Sequence, residues 1–212
     1  MSGTQLDISS KPMRSDAVRN RARVLDSARE LLGRDGLEAQ MDEIAASAGV
    51  GVGTVYRHFA TKDALLQALA AVYFADLTAI AEQALEQNDP WQAFDGFIRS
   101  GAELLETNRA LAQISADRPE LMQSAAQDAD ASLGFFGKLD ELISRAQSGG
   151  KLRADFELSD VPAIMCSLGA LQISPKGYSN WRRVLEFVLD GLHGPGRSEL
   201  PPVLLPVPRR DV

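Results

Sequence analysis

Apolar residues recur at intervals of three and four along most of this chain, in stretches interrupted by glycine, proline and helix-capping residues. The first stretch forms a single stripe made of Val24, Leu25, Ala28, Leu31 and Leu32. This spacing is that of one face of an α-helix, whereas a half-buried strand would alternate apolar and polar residues. Because similar patterns continue along the chain and no convincing strand pattern or internal repeat occurs, the sequence predicts an all-α fold.

The breaks between these stretches predict about nine helices. They cover residues 15–36, 41–48, 52–59, 61–87, 89–105, 110–116, 119–147 as one long or two broken helices, 160–173 and 180–192. Their predicted N-terminal caps include Ser15, Thr61, Asp89, Ser159 and Ser179. Such side chains accept hydrogen bonds from the free amides of a first helical turn. Pro90 also suits the first turn of the fifth helix, because its missing N–H is not needed there.

Charge is distributed unevenly along the 212 residues. The net charge is -7, yet residues 1–62 hold nine basic and eight acidic side chains, against thirteen and twenty-one in the remainder. The basic residues of the first part include Arg14, Arg19, Arg21, Arg23, Arg57 and Lys62. Phosphate binding requires such side chains on a contact face, although a solvated helix face would look the same. The two parts of the chain therefore face different partners.

Three residues in the second and third predicted helices have the spacing of a helix-turn-helix. Ala45 is small where two helices cross, Gly49 can adopt positive φ at the turn, and Val55 can pack the second helix onto the first. An ordinary αα-hairpin also satisfies this spacing. By itself, the pattern therefore leaves DNA binding open.

The residues around this pattern narrow the interpretation. Residues 41–66 contain the ordered set Gly53, Thr54, Val55, Tyr56, Arg57, His58, Phe59 and Lys62. This set resembles the N-terminal signature of the TetR family of bacterial transcriptional regulators. The resemblance is strong over about residues 18–70, and beyond them only the helical pattern is shared. It implies a three-helix DNA-binding domain followed by a helical ligand-binding and dimerisation domain.

The domain boundaries follow from this resemblance and from composition. We expect a flexible basic arm at 1–14, a helix-turn-helix domain at 15–62 and a helical domain at 63–193. Residues 194–212 hold five of the ten prolines and are predicted to be a disordered tail.

The resemblance and side-chain chemistry together predict a set of DNA contacts. The set is Gln40, Gly51, Val52, Gly53, Thr54, Tyr56, Arg57, His58 and Lys62. The guanidinium fork of Arg57 matches O6 and N7 of guanine, and Thr54 is short enough to touch a base edge in the major groove. Lys62 resembles the family's phosphate-contacting lysine. Tyr56 has an alternative role in packing, and His58 has one in a local hydrogen bond.

The C-terminal part is rich in Phe and Met, which suit either a core or an adaptable apolar pocket. By resemblance, we expect a cavity for an apolar or amphipathic effector, lined by Phe94, Phe97, Ile114, Met122, Phe136 and Met165. Polar side chains near predicted helix ends would orient the ligand, namely Asn108, Gln113, Asp117 and Arg118.

The last two helices resemble those with which the family forms dimers. The predicted interface consists of Leu168, Leu171, Trp181, Leu185, Val188 and Leu189, and Gly169 and Ala170 would permit close approach. A dimer matters because its two helix-turn-helix motifs can bind the two half-sites of a palindromic operator, which lie about one helical turn, roughly 34 Å, apart.

Several classes of function are disfavoured. The one cysteine, Cys166, cannot form an intrachain disulfide and is expected in the core. No signal-peptide pattern occurs, and together these features lead us to expect a cytoplasmic protein. The apolar stretch 64–85 carries Asp76 and Glu82, so no membrane span is expected. The two histidines, His58 and His193, are not placed as catalytic bases. No metal-ligand spacing or phosphate-binding loop occurs, so the sequence predicts no enzyme, cofactor or metal.

The sequence therefore predicts a homodimeric, DNA-binding transcriptional regulator, in which a small molecule releases a repressor from double-stranded operator DNA. Two alternatives stay open: a constitutive DNA-binding or interaction module without a ligand, and an activator of the same fold.

Overall fold

The structure, a computed structural model, describes residues 11–174, 180–196 and 198–201. These residues form ten helices: α1 (Lys11–Asp35), α2 (Met41–Ala48), α3 (Val52–His58), α4 (Lys62–Leu85), α5 (Pro90–Glu106), α6 (Arg109–Asp117), α7 (Pro119–Leu133), α8 (Phe135–Ser148), α9 (Asp160–Ile173) and α10 (Trp181–Leu192). The all-α prediction is confirmed. The helices exceed the predicted nine because Gly134, at φ +65°, separates α7 from α8.

The first three helices pack around a small shared core. The predicted stripe of α1 faces this core, and Val24, Ala28 and Leu32 are completely buried in it. Ile44 of α2 and Val55 of α3 are buried in the same cluster. The helical periodicity therefore identified the inner face of α1.

Helix α4 is the centre of the C-terminal region and packs against α5, α7 and α8, while α6 packs against α1 and α9. Two predicted caps are confirmed: Thr61 Oγ1 accepts from Ala64 N at 3.1 Å at the start of α4, and Asp89 accepts from Trp91 N and Gln92 N at the start of α5. Within the described residues, α4 is the one helix long and apolar enough to cross a membrane. Half of its apolar window is buried inside this structure.

Helix α1 begins earlier than the sequence predicted. It already includes Lys11, so Ser15 lies inside the helix and is not its cap. Pro12 falls in the first described turn, where its missing N–H is tolerated, and Asp16 pairs with Arg19 one turn later. Residues 11–14 of the predicted flexible arm are thus helical, and residues 1–10 lie outside the described part of the chain.

The predicted cap of α9 is also wrong. Ser159 has helical backbone angles, and its buried hydroxyl has no hydrogen-bond partner among the described residues. Asp160 instead accepts from Glu157 N at 2.8 Å and tightens the preceding turn. The other predicted serine cap, Ser179, lies outside the described residues.

The beginning of the C-terminal tail is held in place rather than disordered. Arg153, only 7% exposed, donates to Ser198 O at 2.6 Å, and Asp155 accepts from Leu200 N at 2.9 Å. An isolated antiparallel bridge joins Leu152 to His193. A buried guanidinium needs hydrogen-bond acceptors, and the Ser198 carbonyl of the tail is one of them. The proline content of the tail does not reveal this contact. Residues 197 and 202–212 lie outside the described part.

Candidate DNA-binding surface and C-terminal site

The turn between α2 and α3 has the geometry that the spacing predicted. Gly49 adopts φ +62°, a left-handed conformation that favours glycine, and ends α2. Its N–H donates to Ala46 O at 3.1 Å, and Val50 N donates to Ala45 O at 3.0 Å. The αL turn closes the carbonyl end of α2 and redirects the chain into α3.

Helix α3 is anchored by its apolar side. Val55 and Ala45 are completely buried, and Phe59 at the C-terminal end of α3 is nearly so. The guanidinium carbon of Arg21 lies 5.2 Å from the Phe59 ring centroid, which ties the end of α3 to α1. These contacts determine which side of α3 faces outward.

The outward side of α3 carries most of the predicted DNA contacts. Gly51, Val52, Gly53, Tyr56 and Arg57 are all exposed. A Cβ built at Gly51 or Gly53 would meet nothing within 4 Å, so this end of α3 is open to close approach. Tyr56 is 50% exposed, which argues against the alternative that it serves mainly in packing.

Arg57 is exposed and partly oriented by its own helix. Its Nε donates to Gly53 O at 3.2 Å, one turn earlier. No ion pair to Arg57 occurs among the described residues. Its charge is therefore not neutralised by a neighbouring carboxylate in the described part of the chain.

The other predicted contacts border this surface. Thr54, His58 and Lys62 are half-buried, and Gln40 is exposed before α2. The backbone N–H of Gln40 donates to the Glu43 carboxylate at 2.7 Å. For His58, no side-chain hydrogen bond occurs in the described part, so the alternative of a local hydrogen bond gains no support there. The residues of the sequence motif thus lie on α3 and on the segments that border it.

Some of the N-terminal arginines have structural roles that the sequence did not indicate. Arg23 lies against the turn, and its Nη2 donates to Gly49 O at 3.5 Å. A side chain at position 49 would collide with it, because a Cβ built there would be 2.7 Å from Arg23 Nη2. Arg19 pairs with Asp16 on α1. Clustered basic residues in the sequence do not distinguish such contacts from a phosphate-binding face.

A bidentate ion pair connects α4 with the junction of α6 and α7. Arg118 Nη1 and Nη2 donate to the two carboxylate oxygens of Asp63, each at 2.9 Å. Arg118 Nε also donates to Glu120 at 2.6 Å. Asp63 follows Lys62 directly, so this pair holds the helix end at which a predicted phosphate contact lies.

The predicted pocket residues differ in how far they are buried. Phe94, Phe97 and Ile114 are at most 1% exposed and belong to the core cluster. Phe94 packs edge-on against Phe156, with ring centroids 5.5 Å apart. Met122 and Phe136 are only half-buried and lie at the margin of the same cluster, and Met165 is buried in it.

A cavity of about 140 Å³ lies elsewhere, between α1, α4 and the turn from α5 to α6. Its lining includes Arg29, Tyr73, Asp76 and Asn108, and none of the six predicted pocket residues. Asn108 is the one predicted ligand-orienting residue that lines it. Burial raises the pKa of the Tyr73 hydroxyl, so that side chain stays neutral.

Four of the six predicted dimer residues are buried within their own chain. Leu168, Trp181, Leu185 and Leu189 are at most 3% exposed, because these stripes pack against the chain's own helices. Leu171 and Val188 are half-buried. Gly169 serves close packing inside the chain, since its Cβ position lies 3.7 Å from Ala112 Cβ of α6.

The outward faces of α9 and α10 carry a different set of residues. Phe187 is 60% exposed, with the Arg183 guanidinium 5.0 Å from its ring centroid. Ala163 and Ala170 are exposed on α9. Cys166, expected in the core, is exposed, and its Sγ lies 3.1 Å from Ser115 Oγ. Its thiol therefore lies at the edge of the contact between α9 and α6 rather than in the core.

A helix-turn-helix with an open third helix, joined to a larger helical region, defines a DNA-binding transcriptional regulator. Residues 24–69 match the family model of bacterial regulatory proteins of the TetR family. Residues 89–194 match the model of the C-terminal domain of SbtR-like transcriptional regulators. The chain belongs to the TetR family, as the sequence resemblance predicted.

Known proteins agree with this assignment. A TetR transcription regulatory protein from Mycobacterium vanbaalenii is 35% identical, with 86% of this chain and 99% of that chain covered and a TM-score of 0.55. Bacillus subtilis FadR in complex with stearoyl-CoA shares the fold at 20% identity, with coverage of 81% and 99% and a TM-score of 0.60. The Staphylococcus aureus regulator SAR0097 is 38% identical over 84 residues, 39% of this chain and 44% of that protein.

The match to that curated relative therefore spans less than half of its length. Members of the family are transcriptional regulators and not enzymes, so the prediction that this chain is not an enzyme is confirmed by its relatives.

Proposed function

We propose that this chain is a repressor that binds palindromic operator DNA as a homodimer and is released by a small molecule. The observation that carries the proposal is the open face of α3, where Gly53, Tyr56 and Arg57 are exposed while Val55 anchors the helix. A short helix held in this way can enter the major groove of B-DNA.

Each part of this surface has a chemical role in the proposal. Arg57 presents a planar fork that fits O6 and N7 of guanine, and Thr54 contacts a neighbouring base edge. The open glycines let the N-terminal amides of α3 approach a phosphate. Tyr56, His58, Gln40 and Lys62 contact the backbone on either side and set the orientation of the helix.

The dimer in this proposal forms through the outward faces of α9 and α10. Phe187 supplies exposed aromatic area, and the small residues Ala163 and Ala170 let a partner helix approach closely. The buried predicted residues Leu185 and Leu189 support this face from beneath. A two-fold dimer places two copies of α3 on one face of DNA, matching a palindrome.

The effector in this proposal is apolar or amphipathic and enters beside α7 and α8, which carry Met122 and Phe136 and pack against α4. Met122 and Phe136 are half-buried beside the apolar core, so their side chains can move to admit a ligand. A protein of this fold, Bacillus subtilis FadR, binds the amphipathic molecule stearoyl-CoA. The alternative of a constitutive regulator rests on Phe94, Phe97 and Ile114, which are fully buried as in an ordinary core.

The proposed division of labour assigns α1 to α3 to DNA binding and α4 to α10 to effector binding and dimerisation, in a cytoplasmic protein. Fluorescence anisotropy with labelled DNA from beside the protein's own gene, with and without a broad panel of apolar compounds, tests it. We expect tight binding that at least one compound reverses. Binding that no compound reverses would favour the constitutive alternative, and failure to bind that DNA or a site selected from random duplexes would contradict the proposal.

A further inference from the structure

The first turns of α1 extend beyond the core of the helix-turn-helix unit. Residues 16–23 include no buried side chain, whereas one face of the helix is buried from Val24 onward. Residues 11–23 hold five basic side chains and one acidic one, in a chain whose net charge is -7. A helical segment with no buried side chain gains little from tertiary packing. Its side chains are therefore available to a partner, and their charge favours a polyanion.

The three arginines within residues 16–23 have different surroundings. Arg19 pairs with Asp16 on α1, and Arg23 Nη2 donates to Gly49 O at the turn before α3. Arg21 has neither an ion pair nor a side-chain hydrogen bond in the described part of the chain. Among these three, Arg21 therefore keeps its charge and its N–H donors for an outside partner.

Arg21 lies on the side of α1 that faces α3. It precedes the buried Val24 and Leu25 by one helical turn and so shares their face of the helix. Its guanidinium carbon lies 5.2 Å from the ring centroid of Phe59, the residue that ends α3. The ring holds the cation through its quadrupole and not through a conventional hydrogen bond. The contact therefore orients the guanidinium without using its donors.

Phe59 also places Arg21 near the predicted phosphate contact Lys62. Three residues of chain span at most about 11 Å between the Cα atoms of Phe59 and Lys62. Asp63, the carboxylate next to Lys62 in sequence, has both oxygens bound by Arg118. Lys62 also begins α4, where first-turn amides without intrahelical partners favour an anion. Two cations and a helix N-terminus thus lie at one end of α3, and the neighbouring carboxylate is already engaged.

We infer that Arg21 binds a phosphate of the DNA backbone beside the C-terminal end of α3. The planar guanidinium matches phosphate and forms two parallel N–H···O bonds with it, while Phe59 supports the group from behind. Arg57 and Thr54 meet bases inside the major groove, and Arg21 meets a strand that borders the groove. The contact rests on the proposed DNA binding and adds a residue to it. It positions α3 and carries no sequence information of its own.

The salt dependence of binding of the full chain to a mixed-sequence duplex tests this contact, because a phosphate contact requires no particular operator. Arg21→Met keeps an apolar side chain over Phe59 and removes the charge. We expect the slope of log affinity against log salt to fall by about 0.9 for each bound subunit. Binding at about 0.1 M salt should weaken roughly tenfold per subunit. Arg21→Lys keeps the charge and should retain most of the slope.

Arg19→Met is the matched control. It removes the same charge two residues away, on the opposite face of α1, where Arg19 already pairs with Asp16. Its slope should equal that of the unaltered protein. Equal losses of slope in Arg19→Met and Arg21→Met would show that α1 acts through its overall charge and that Arg21 makes no specific contact. An unchanged slope in Arg21→Met would also overturn the inference.

A role in packing alone has a different signature. If Arg21 only holds Phe59 in place, Arg21→Met and Arg21→Lys should lower affinity by the same factor at every salt concentration, and the slope should not change. Circular dichroism checks that the variants fold, and Arg21→Gln replaces Arg21→Met if the latter does not fold.

Neutral phosphate substitutes locate the contact on the DNA. In a selected operator duplex, single phosphates are replaced by uncharged methylphosphonates. One such replacement should weaken binding of the unaltered protein and have little further effect on Arg21→Met, because both changes remove the same interaction. If every replacement affects both proteins equally, Arg21 touches no phosphate.

Binding of the unaltered protein separates the two proposals. If it binds neither mixed-sequence nor selected duplexes, the proposed function fails and this contact fails with it. If it binds DNA while Arg21→Met keeps the full slope, only the contact is rejected.

Discussion

Arg118 binds Asp63 through two parallel hydrogen bonds, across 55 residues of sequence and between the junction of α6 and α7 and the first turn of α4. The hydrogen bonds from Arg118 hold the pKa of the Asp63 carboxyl below its usual range. The ion pair is therefore fully formed above about pH 4, which is near the ordinary pKa of aspartate. It is lost as the pH falls through the lowered pKa of Asp63. Between pH 6 and 8 the link is therefore constant.

We predict that this ion pair holds the first turn of α4 in place. In Arg118→Gln, hydrogen exchange of the backbone amides in residues 64–66 should become faster at pH 7. Asp63→Asn should have a similar effect, and the double variant should add little, since both changes break one interaction. Glu120→Gln is the matched control, because it removes the other carboxylate that pairs with Arg118 and leaves α4 untouched. Fully additive effects would show that the pair does not couple these helices.

Lys62 is predicted to contact a DNA phosphate. Each phosphate contact contributes about 0.9 to the slope of log affinity against log salt, so a dimer that loses two contacts should lose roughly 1.8. Lys62→Ala should therefore flatten the salt dependence of operator binding, measured by anisotropy over a range of salt concentrations. Lys151→Ala removes the same charge from an exposed position between α8 and α9 and should leave the slope unchanged. If the slope of log affinity against log salt is the same for Lys62→Ala and the unaltered protein, Lys62 does not contact a phosphate.

Arg57 is predicted to read a base. Arg57→Ala should lose about 1 to 3 kcal/mol per half-site on the preferred sequence and much less on random duplex. Arg57→Lys keeps the charge without the planar fork, and it should lose most of the same sequence preference. Competition binding with single-base variants of the operator measures both. Equal losses on specific and random DNA would show that Arg57 contacts phosphate instead.

Phe187 is predicted to lie in the dimer interface. Phe187→Glu places a charge on the outward face of α10, where burial against a partner would be costly, so the dimer should dissociate. Sedimentation at the same protein concentration as for the unaltered protein should show a monomer. The operator affinity of the variant should fall because the dimer is lost. Leu133→Glu, at an exposed apolar position at the end of α7, is the control and should leave the mass unchanged. A folded, dimeric Phe187→Glu would place the interface elsewhere.

The features that sequence predicted correctly depend on short segments of chain. The αL turn at Gly49, the buried Val55 and the cap at Thr61 each follow from a few neighbouring residues. Asp89 is a cap for the same reason. The requirements of a helix end or a tight turn are local, and a single sequence therefore contains them.

Features that depend on distant contacts were not predictable in this way. An apolar stripe such as Leu185 and Leu189 shows that one face of α10 is buried, but not whether its own chain or a partner covers it. The role of Arg23 at Gly49 O and the pairing of Arg118 with Asp63 join residues far apart in sequence. The cavity at Arg29 and Asn108 exists only where α1, α4, α5 and α6 meet.

Selection of binding sites from a random pool of DNA duplexes tests the central claim most directly, because it requires no knowledge of the operator. The account predicts that the purified protein enriches an inverted repeat whose half-site centres lie about one helical turn, roughly 34 Å, apart. It also predicts that Arg57→Ala loses the preference at one base pair in each half-site. Enrichment of no motif, or of the same motif by a chain in which both Tyr56 and Arg57 are alanine, would contradict the claim that α3 reads DNA.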